Sequence, residues 1–384
     1  MKVLFLCLSS IVLLLSYYRD SIESTIRLSG LFKTIKQFNT HNCTIKYPKE
    51  LQACEDFQVI NSGASPQILF GCSTNMMQRY VWFPPFGALD KSTPGIIRDS
   101  FYLYDVNSDQ LTTLSLEGFP ESNDLVLHGF AATKIDDDNH ALYVINHRRQ
   151  GNGDLIEKFI YKTGGVSLRH VESFDGSDNG IVRTANAITV IDHKTDSFYV
   201  TNDHFYQTSP MHDLELVLIR PWSFVSFYSK ETGFKIVKEG LHSACGINHV
   251  GDKVLVTAVQ AGAMYVYDVN QDHTLKLFKK IDFDFLVDNI QISDGLIYVA
   301  GHPSALDFVK YVKNPRRYTA PSMVARVPVD EALSATARPI PEIVFSDPGA
   351  LISGSSVGTI LKVGDSNIQF VSGVINEGFL RCDQ

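Results

Sequence analysis

Asp288 and Asn289 stand side by side in the run Phe285-Leu286-Val287-Asp288-Asn289-Ile290-Gln291-Ile292, whose other residues alternate like those of a buried strand. A buried carboxylate costs several kcal/mol unless it is paired, hydrogen-bonded or bound to a metal. The pair is therefore either a structural knot or part of a ligand set. Ser293-Asp294-Gly295 follows as a tight turn, then Leu296-Ile297-Tyr298-Val299-Ala300 as a second strand, with Gly301-His302-Pro303 as its polar end.

The same strand pair recurs, and its recurrences carry more such side chains. Glu55-Asp56-Phe57-Gln58-Val59-Ile60 leads to Gln67-Ile68-Leu69-Phe70. His128-Gly129-Phe130 leads to residues 142–147, Asn186-Ala187-Ile188 to 198–204, Cys245-Gly246-Ile247-Asn248 to 254–257, and Ser355-Ser356-Val357-Gly358 to 368–371. Between these pairs lie second hairpins with aromatic-rich first strands, at residues 101–105, 159–161, 224–228 and 264–268. Two hairpins per repeat make four strands, so the expected fold is all-β, a six-bladed β-propeller with four-stranded blades. A β-sandwich fits so regular a four-strand period poorly.

In a propeller the innermost strands line a central channel and run parallel, so their first residues meet at one mouth. Here those are Glu55, Asp56, His128, Asn186, Cys245, Asp288, Asn289 and Ser355. The second strands return toward that mouth and end in Asn146-His147, Asn202-Asp203-His204 and Gly301-His302-Pro303. Three carboxylates with two amides form a hard, oxygen-rich set of the kind calcium accepts, with six to eight oxygens at about 2.3–2.6 Å. Zinc would want several histidines or thiolates, and no His-x-x-x-His spacing appears. The bland alternative for each residue is a polar cap on a strand end, or a satisfied core histidine in the case of His128.

The rest of the chain sets the compartment. Its 384 residues are 44% hydrophobic and 20% charged, with a net charge of −8 and no long basic run, which argues against a nucleic-acid partner. Residues 3–18 are almost wholly apolar between Lys2 and Arg19-Asp20, and read as a signal peptide or retained signal anchor over 1–20. The segment is shorter than the about 20 residues that cross a bilayer, which leaves it a candidate for membrane or lipid association. A linker or helix over 21–41 then precedes the propeller at 42–384. Six cysteines fit a secretory route. A bridge between Cys43 and Cys382 would close nearly the whole chain into a ring, and Cys54 and Cys72 flank the first inner hairpin as a second candidate pair. Asn42-Cys43-Thr44 is a glycosylation sequon.

His128-Gly129, Val144-Ile145-Asn146-His147, Thr201-Asn202-Asp203-His204, Gly246-Ile247-Asn248, Leu286-Val287-Asp288-Asn289-Ile290 and Gly301-His302-Pro303 together resemble the serum paraoxonase/arylesterase family, from about Asn42 to Cys382. The resemblance takes in the retained apolar N-terminus and the end-to-end disulfide. It implies a secreted, calcium-dependent hydrolase of small lactones and aryl esters. A catalytic calcium would sit on the positions of Glu55, Asn186, Asp288 and Asn289, and His128 with His147 would activate water. A second, structural calcium would use Asp56 and the main-chain carbonyl of Phe130. Asp203, His204 and His302 would line the substrate pocket. In that scheme calcium polarises the carbonyl, His128 takes a proton from water with a pKa placed near neutrality, and His147 holds its tautomer.

Two positions depart from the family pattern. A further asparagine ligand falls on Cys245, at the same mouth, and the second aspartate of the structural ion falls on Ala187. A thiol has little affinity for a hard cation. These departures support a rival reading, a non-catalytic secreted propeller that binds rather than hydrolyses. A propeller lyase or synthase of the strictosidine-synthase type lacks the calcium ligands, and the retained Glu55, Asn186, Asp288 and Asn289 argue against it.

Overall fold

The computed structural model describes residues 25–61, 65–151, 153–177 and 180–384. The apolar stretch at 3–18 lies outside the described residues, and among those described no helix is long and apolar enough to cross a membrane.

The chain is all-β, with a few short helices such as Met211–Val217 and Ala305–Lys313. Its strands form antiparallel meanders. Gln52–Asn61, Gln67–Ser73, Ser100–Asp105 and Gln110–Glu117 make the first, and Leu127–Lys134, Asn139–Asn146, Leu155–Lys162 and Ser167–Asp175 the second. These two join into one eight-stranded sheet through a short parallel contact of their outer strands, from Ser115↔Ser167 to Glu117↔Arg169. Separate four-stranded sheets begin at Ala185–Asp192, Ala244–Val250 and Leu286–Ser293.

The last sheet takes Ser355–Val363, Ser366–Gly373 and Phe379–Asp383 from the C-terminal region. Its outermost strand is Cys43–Lys46, paired antiparallel from Cys43↔Cys382 to Lys46↔Phe379. The Cys43–Cys382 disulfide crosses that pairing, and Cys54–Cys72 bridges the first hairpin.

Burial follows position within each meander. The second strands, such as Ser197–Asn202, are buried along their length, whereas the outer strand Gln110–Glu117 alternates with solvent. That gradient matches the sequence, which runs Val, Ile, Leu and Tyr inside and Lys, Glu and Thr outside. The first strands of successive meanders touch one another in a closed circuit, Gln52–Asn61 meeting both Leu127–Lys134 and Ser355–Val363. Apolar side chains fill the wedge between each sheet and the next. Phe57, Phe70, Phe370 and Phe379 pack in one such wedge, with Phe70 stacked on Phe379 at 4.7 Å.

A further apolar group lies over one end of the circuit. Ala53, Trp82, Phe83, Ile97, Val126, Tyr311 and Ile375 come from strand ends, the short strand Trp82–Phe83, the helix Ala305–Lys313 and the loops between, and form a lid.

Candidate active site

Each first strand carries an irregularity where the chemistry-bearing residues fall. Leu127 pairs with Asn146 but Phe130 with Val144, so His128-Gly129 holds one residue more than its partner strand. The same extra residue appears at Asn186-Ala187, at Cys245-Gly246 and at Asp288-Asn289, and a related shift at Ser355-Ser356. In the first meander it is larger, between Gln52 and Asp56. These β-bulges take residues out of the ladder and turn them toward the axis. Carbonyls freed by the bulges are met by hydroxyls: Thr257 Oγ1 donates to the Asp288 carbonyl at 2.6 Å, Ser356 Oγ to that of Glu55 at 2.5 Å, and Thr201 Oγ1 to that of Cys245. Bare glycines let adjacent bulges close up. A methyl group on Gly129 would stand 2.3 Å from the Asn186 carbonyl oxygen, and one on Gly246 2.6 Å from that of Asp288.

The bulges gather Glu55, Asn186, Asp288 and Asn289, all at most 6% exposed. Asn289 Nδ2 donates to Glu55 Oε1 at 2.7 Å. Glu55 Oε2 has no hydrogen-bond partner and lies 3.8 Å from His128 Nε2. Asn186 Nδ2 donates to Asp203 Oδ2 at 3.4 Å, while Asn186 Oδ1 is unpartnered. Burial, then the charges of Asp288 and Asp56, push Glu55 well above the usual carboxylate range. Burial also raises Asp288, against the pull of His302, whose Nε2 lies 3.2 Å from Asp288 Oδ2. Buried, mutually repelling carboxylates with oxygens left over are what a hard cation would satisfy, so these residues fit one. Among the described residues no three His, Cys, Asp or Glu side chains cluster as a metal site by themselves, and the set here is a mixture of carboxylates and amides.

Beside this centre runs a hydrogen-bonded chain. His128 Nδ1 meets His147 Nε2 at 2.9 Å, and His147 Nδ1 meets Asp154 Oδ1 at 2.7 Å. Both rings are buried under Phe83, with centroids 5.0 and 5.5 Å away. Burial, reinforced by His147, takes His128 well below the ordinary histidine range. A buried imidazolium is costly, and the sequence could not weigh that burial.

The expected pocket residues are close by. For Asp203, burial works upward, but His204, His128 and His147 together hold its carboxyl down to about 2. Its Oδ1 lies 2.8 Å from His204 Nδ1. The His302 ring stacks on Phe308 at 3.6 Å. Cys245 is a buried free cysteine, and burial with the charges of Asp288, Asp203 and Glu55 raises its thiol well above the usual value.

The position expected for a second ion is different. Asp56 accepts from the Phe57 N–H at 2.8 Å, from Gln58 Nε2 at 3.1 Å and from the Phe130 N–H at 3.2 Å. Those donors engage both oxygens, and Ala187 adds only a methyl group, so this position lacks the second carboxylate expected of an ion site. Burial still raises Asp56 to about 7. A cavity of about 100 Å³ lies beside it, lined by Gln58, Thr189, Asn248 and His249 among others.

Sequence reasoning missed Asp154, His212 and the aromatic lid. Asp154 belongs to no strand unit and follows the loop residue Gly153, so no periodicity marks it. His212 sits on the short helix Met211–Val217 with its ring 4.5 Å from that of His204.

The Arylesterase family model matches residues 48–371. Serum paraoxonase/arylesterase 1 of Mus musculus is 27% identical over 365 residues, covering 93% of this chain and 94% of its own. Serum paraoxonase/lactonase 3 of Mus musculus is 28% identical over 384 residues, with 98% and 96% covered. Serum paraoxonase/arylesterase 2 of Rattus norvegicus is 31% identical over 237 residues, with 61% and 63% covered. The family match spans most of the circuit of first strands, from the one that carries Glu55 to the one that carries Ser355, and the chain belongs to the Arylesterase family.

Proposed function

We propose that this protein is a calcium-dependent hydrolase of lactones or aryl esters, built on a six-bladed propeller over residues 42–384. The observation that carries the reading is the buried group of Glu55, Asp288, Asn186 and Asn289, whose spare oxygens face the same space as a histidine chain. Family membership supports hydrolysis of esters or lactones. The closed circuit of first strands supports the propeller.

Glu55, Asn186, Asp288 and Asn289 would hold the cation. When bound, it would act as a Lewis acid on the ester carbonyl and on the oxyanion that follows. His128 then serves as general base, accepting a proton from water at Nε2 while Nδ1 stays hydrogen-bonded to His147. Burial disfavours the charged form of His128, which favours the neutral ring that can accept. Phe83 and Trp82 exclude solvent above it. Asp203, His204, His302 and Cys245 form the walls against which the substrate is positioned. One calcium is read here, since Asp56 already accepts three hydrogen bonds and Ala187 brings no second carboxylate.

Two disulfides support passage through an oxidising compartment. Exposed Asn42 is the proposed glycosylation site, and residues 1–20 the proposed signal or anchor. The rival reading, a non-catalytic binding protein, draws on Cys245 and Ala187. A screen of lactones and aryl esters, before and after chelation and with calcium restored, separates the two. Hydrolysis lost on chelation and regained with calcium supports the enzyme. Hydrolysis undiminished by thorough chelation defeats the mechanism, and no hydrolysis or calcium binding at all favours the binding protein.

A further inference from the structure

Asp154 is 2% exposed, and both of its carboxylate oxygens are engaged. Oδ1 meets His147 Nδ1 at 2.7 Å, and Oδ2 accepts the Ala185 N–H at 2.7 Å. The second bond ties it to the strand that presents Asn186, one residue further on. Its loop is fitted closely, since a methyl group on Gly153 would stand 2.8 Å from the Val182 carbonyl oxygen. Asp154 also borders an open pocket of about 330 Å³, lined by Trp82, Lys91, Arg148, Gln207 and Thr208 on the outer side of the histidine chain.

A carboxylate only accepts, so His147 must carry its proton on Nδ1, which leaves Nε2 as an acceptor. His128 must then donate from Nδ1, and its Nε2 is left with a free lone pair facing the centre. Remove the acid, and either tautomer of His147 is allowed, with only the Ala185 carbonyl, 3.2 Å from His128 Nδ1, left to oppose a reversed chain.

We propose that Asp154 is a positioning residue for the hydrolysis proposed above, fixing the direction of the His128–His147 chain and stabilising the charge it receives. The proton balance is closed. His128 Nε2 takes a proton from the attacking water and gives its Nδ1 proton to His147 Nε2. The positive charge then rests on His147 against Asp154, and the same path reverses to protonate the leaving oxygen.

The test uses full-length protein with calcium and a lactone or aryl ester. Asp154→Asn should lower kcat about 100-fold with KM and melting temperature little changed. Asp154→Ala should lose as much, and formate or acetate, entering from the adjoining pocket, should restore part of it in a concentration-dependent way. His147→Gln combined with Asp154→Asn should be no worse than the worse single variant. An Asp154→Asn enzyme within about threefold of wild-type kcat would overturn the proposal, as would a loss matched by a fall in melting temperature and not restored by either acid. Imidazole ¹⁵N spectra give a readout apart from activity. His147 protonated on Nδ1 in the wild type and redistributed in Asp154→Asn supports the fixing role, while an unchanged tautomer overturns it. Should the wild type hydrolyse nothing, the proposed function fails, and the spectra alone decide the tautomer claim.

Discussion

Asn289 Nδ2 donates to Glu55 Oε1 at 2.7 Å although the two residues lie 234 positions apart and on strands that are not neighbours. The strand Ser355–Val363 stands between them and touches both of theirs. The bond therefore reaches past an intervening strand of the circuit, and it holds one Glu55 oxygen while leaving the other free.

That geometry sets opposite expectations for one isosteric change. Glu55→Gln should weaken calcium binding about 100-fold or more and abolish hydrolysis. It should also raise the melting temperature of the calcium-free protein, because it removes a charge that burial and Asp288 disfavour. Calcium titration by calorimetry and melting curves in chelator read the two effects. A variant that loses calcium and also melts lower without it would contradict the picture of a self-repelling cluster.

Cys245→Asn returns an amide oxygen to the one bulge of the centre that offers sulfur. Calcium affinity is expected to rise by about tenfold, since a hard cation prefers oxygen. Competition against a fluorescent chelator measures this directly, and unchanged affinity would remove Cys245 from the cation's surroundings.

The Cys43–Cys382 bridge closes a loop with a sequence separation of 339. In the chain-entropy account, a closure that long stabilises by roughly 6 kcal/mol. Replacing both cysteines by serine should lower the denaturant midpoint accordingly while the Cys54–Cys72 peptide persists on non-reducing maps. Free thiols at 43 and 382 in oxidised material would refute the pairing.

Asp196 supplies a pH dependence away from the active site. Burial works to raise it, but Lys158, Lys230 and Tyr143 outweigh burial and hold it below the ordinary value of 3.8. A carboxylate depressed on folding stabilises above its unfolded pKa, and that contribution fades as pH falls through the folded value. Asp196→Asn should therefore cost on the order of 2 kcal/mol at pH 7, allowing for solvent around Lys230. The gap between variant and wild type should vanish in strong acid. Parallel melting curves at both ends of the range decide it.

Much of this was legible from residue order. Alternating runs at 55–60 and 286–292 announce inner strands, and polar residues at their starts announce a mouth, because side-chain period and burial are local consequences of sequence. The bulges were not legible. An extra residue at His128-Gly129 looks the same on paper as one more step of alternation, and only the partner strand reveals it. Nor was the depth of His128 visible, because it depends on Phe83 and the lid, which come from outside the repeat. Asp154 escaped for the same reason, as a loop residue with its partners at 147 and 185.

The placement of Cys43–Lys46 also orders events during synthesis. Every other strand finds its ladder partner within its own meander or an adjoining one, so those sheets can form as the chain emerges from the ribosome. The Cys43 strand has no partner until Phe379–Asp383 has been made, and it must wait, extended and unpaired, through most of translation. A ribosome that stops anywhere before residue 379 releases a circuit with an open seam and a bare strand edge, the kind of surface that chaperones and aggregates both recognise.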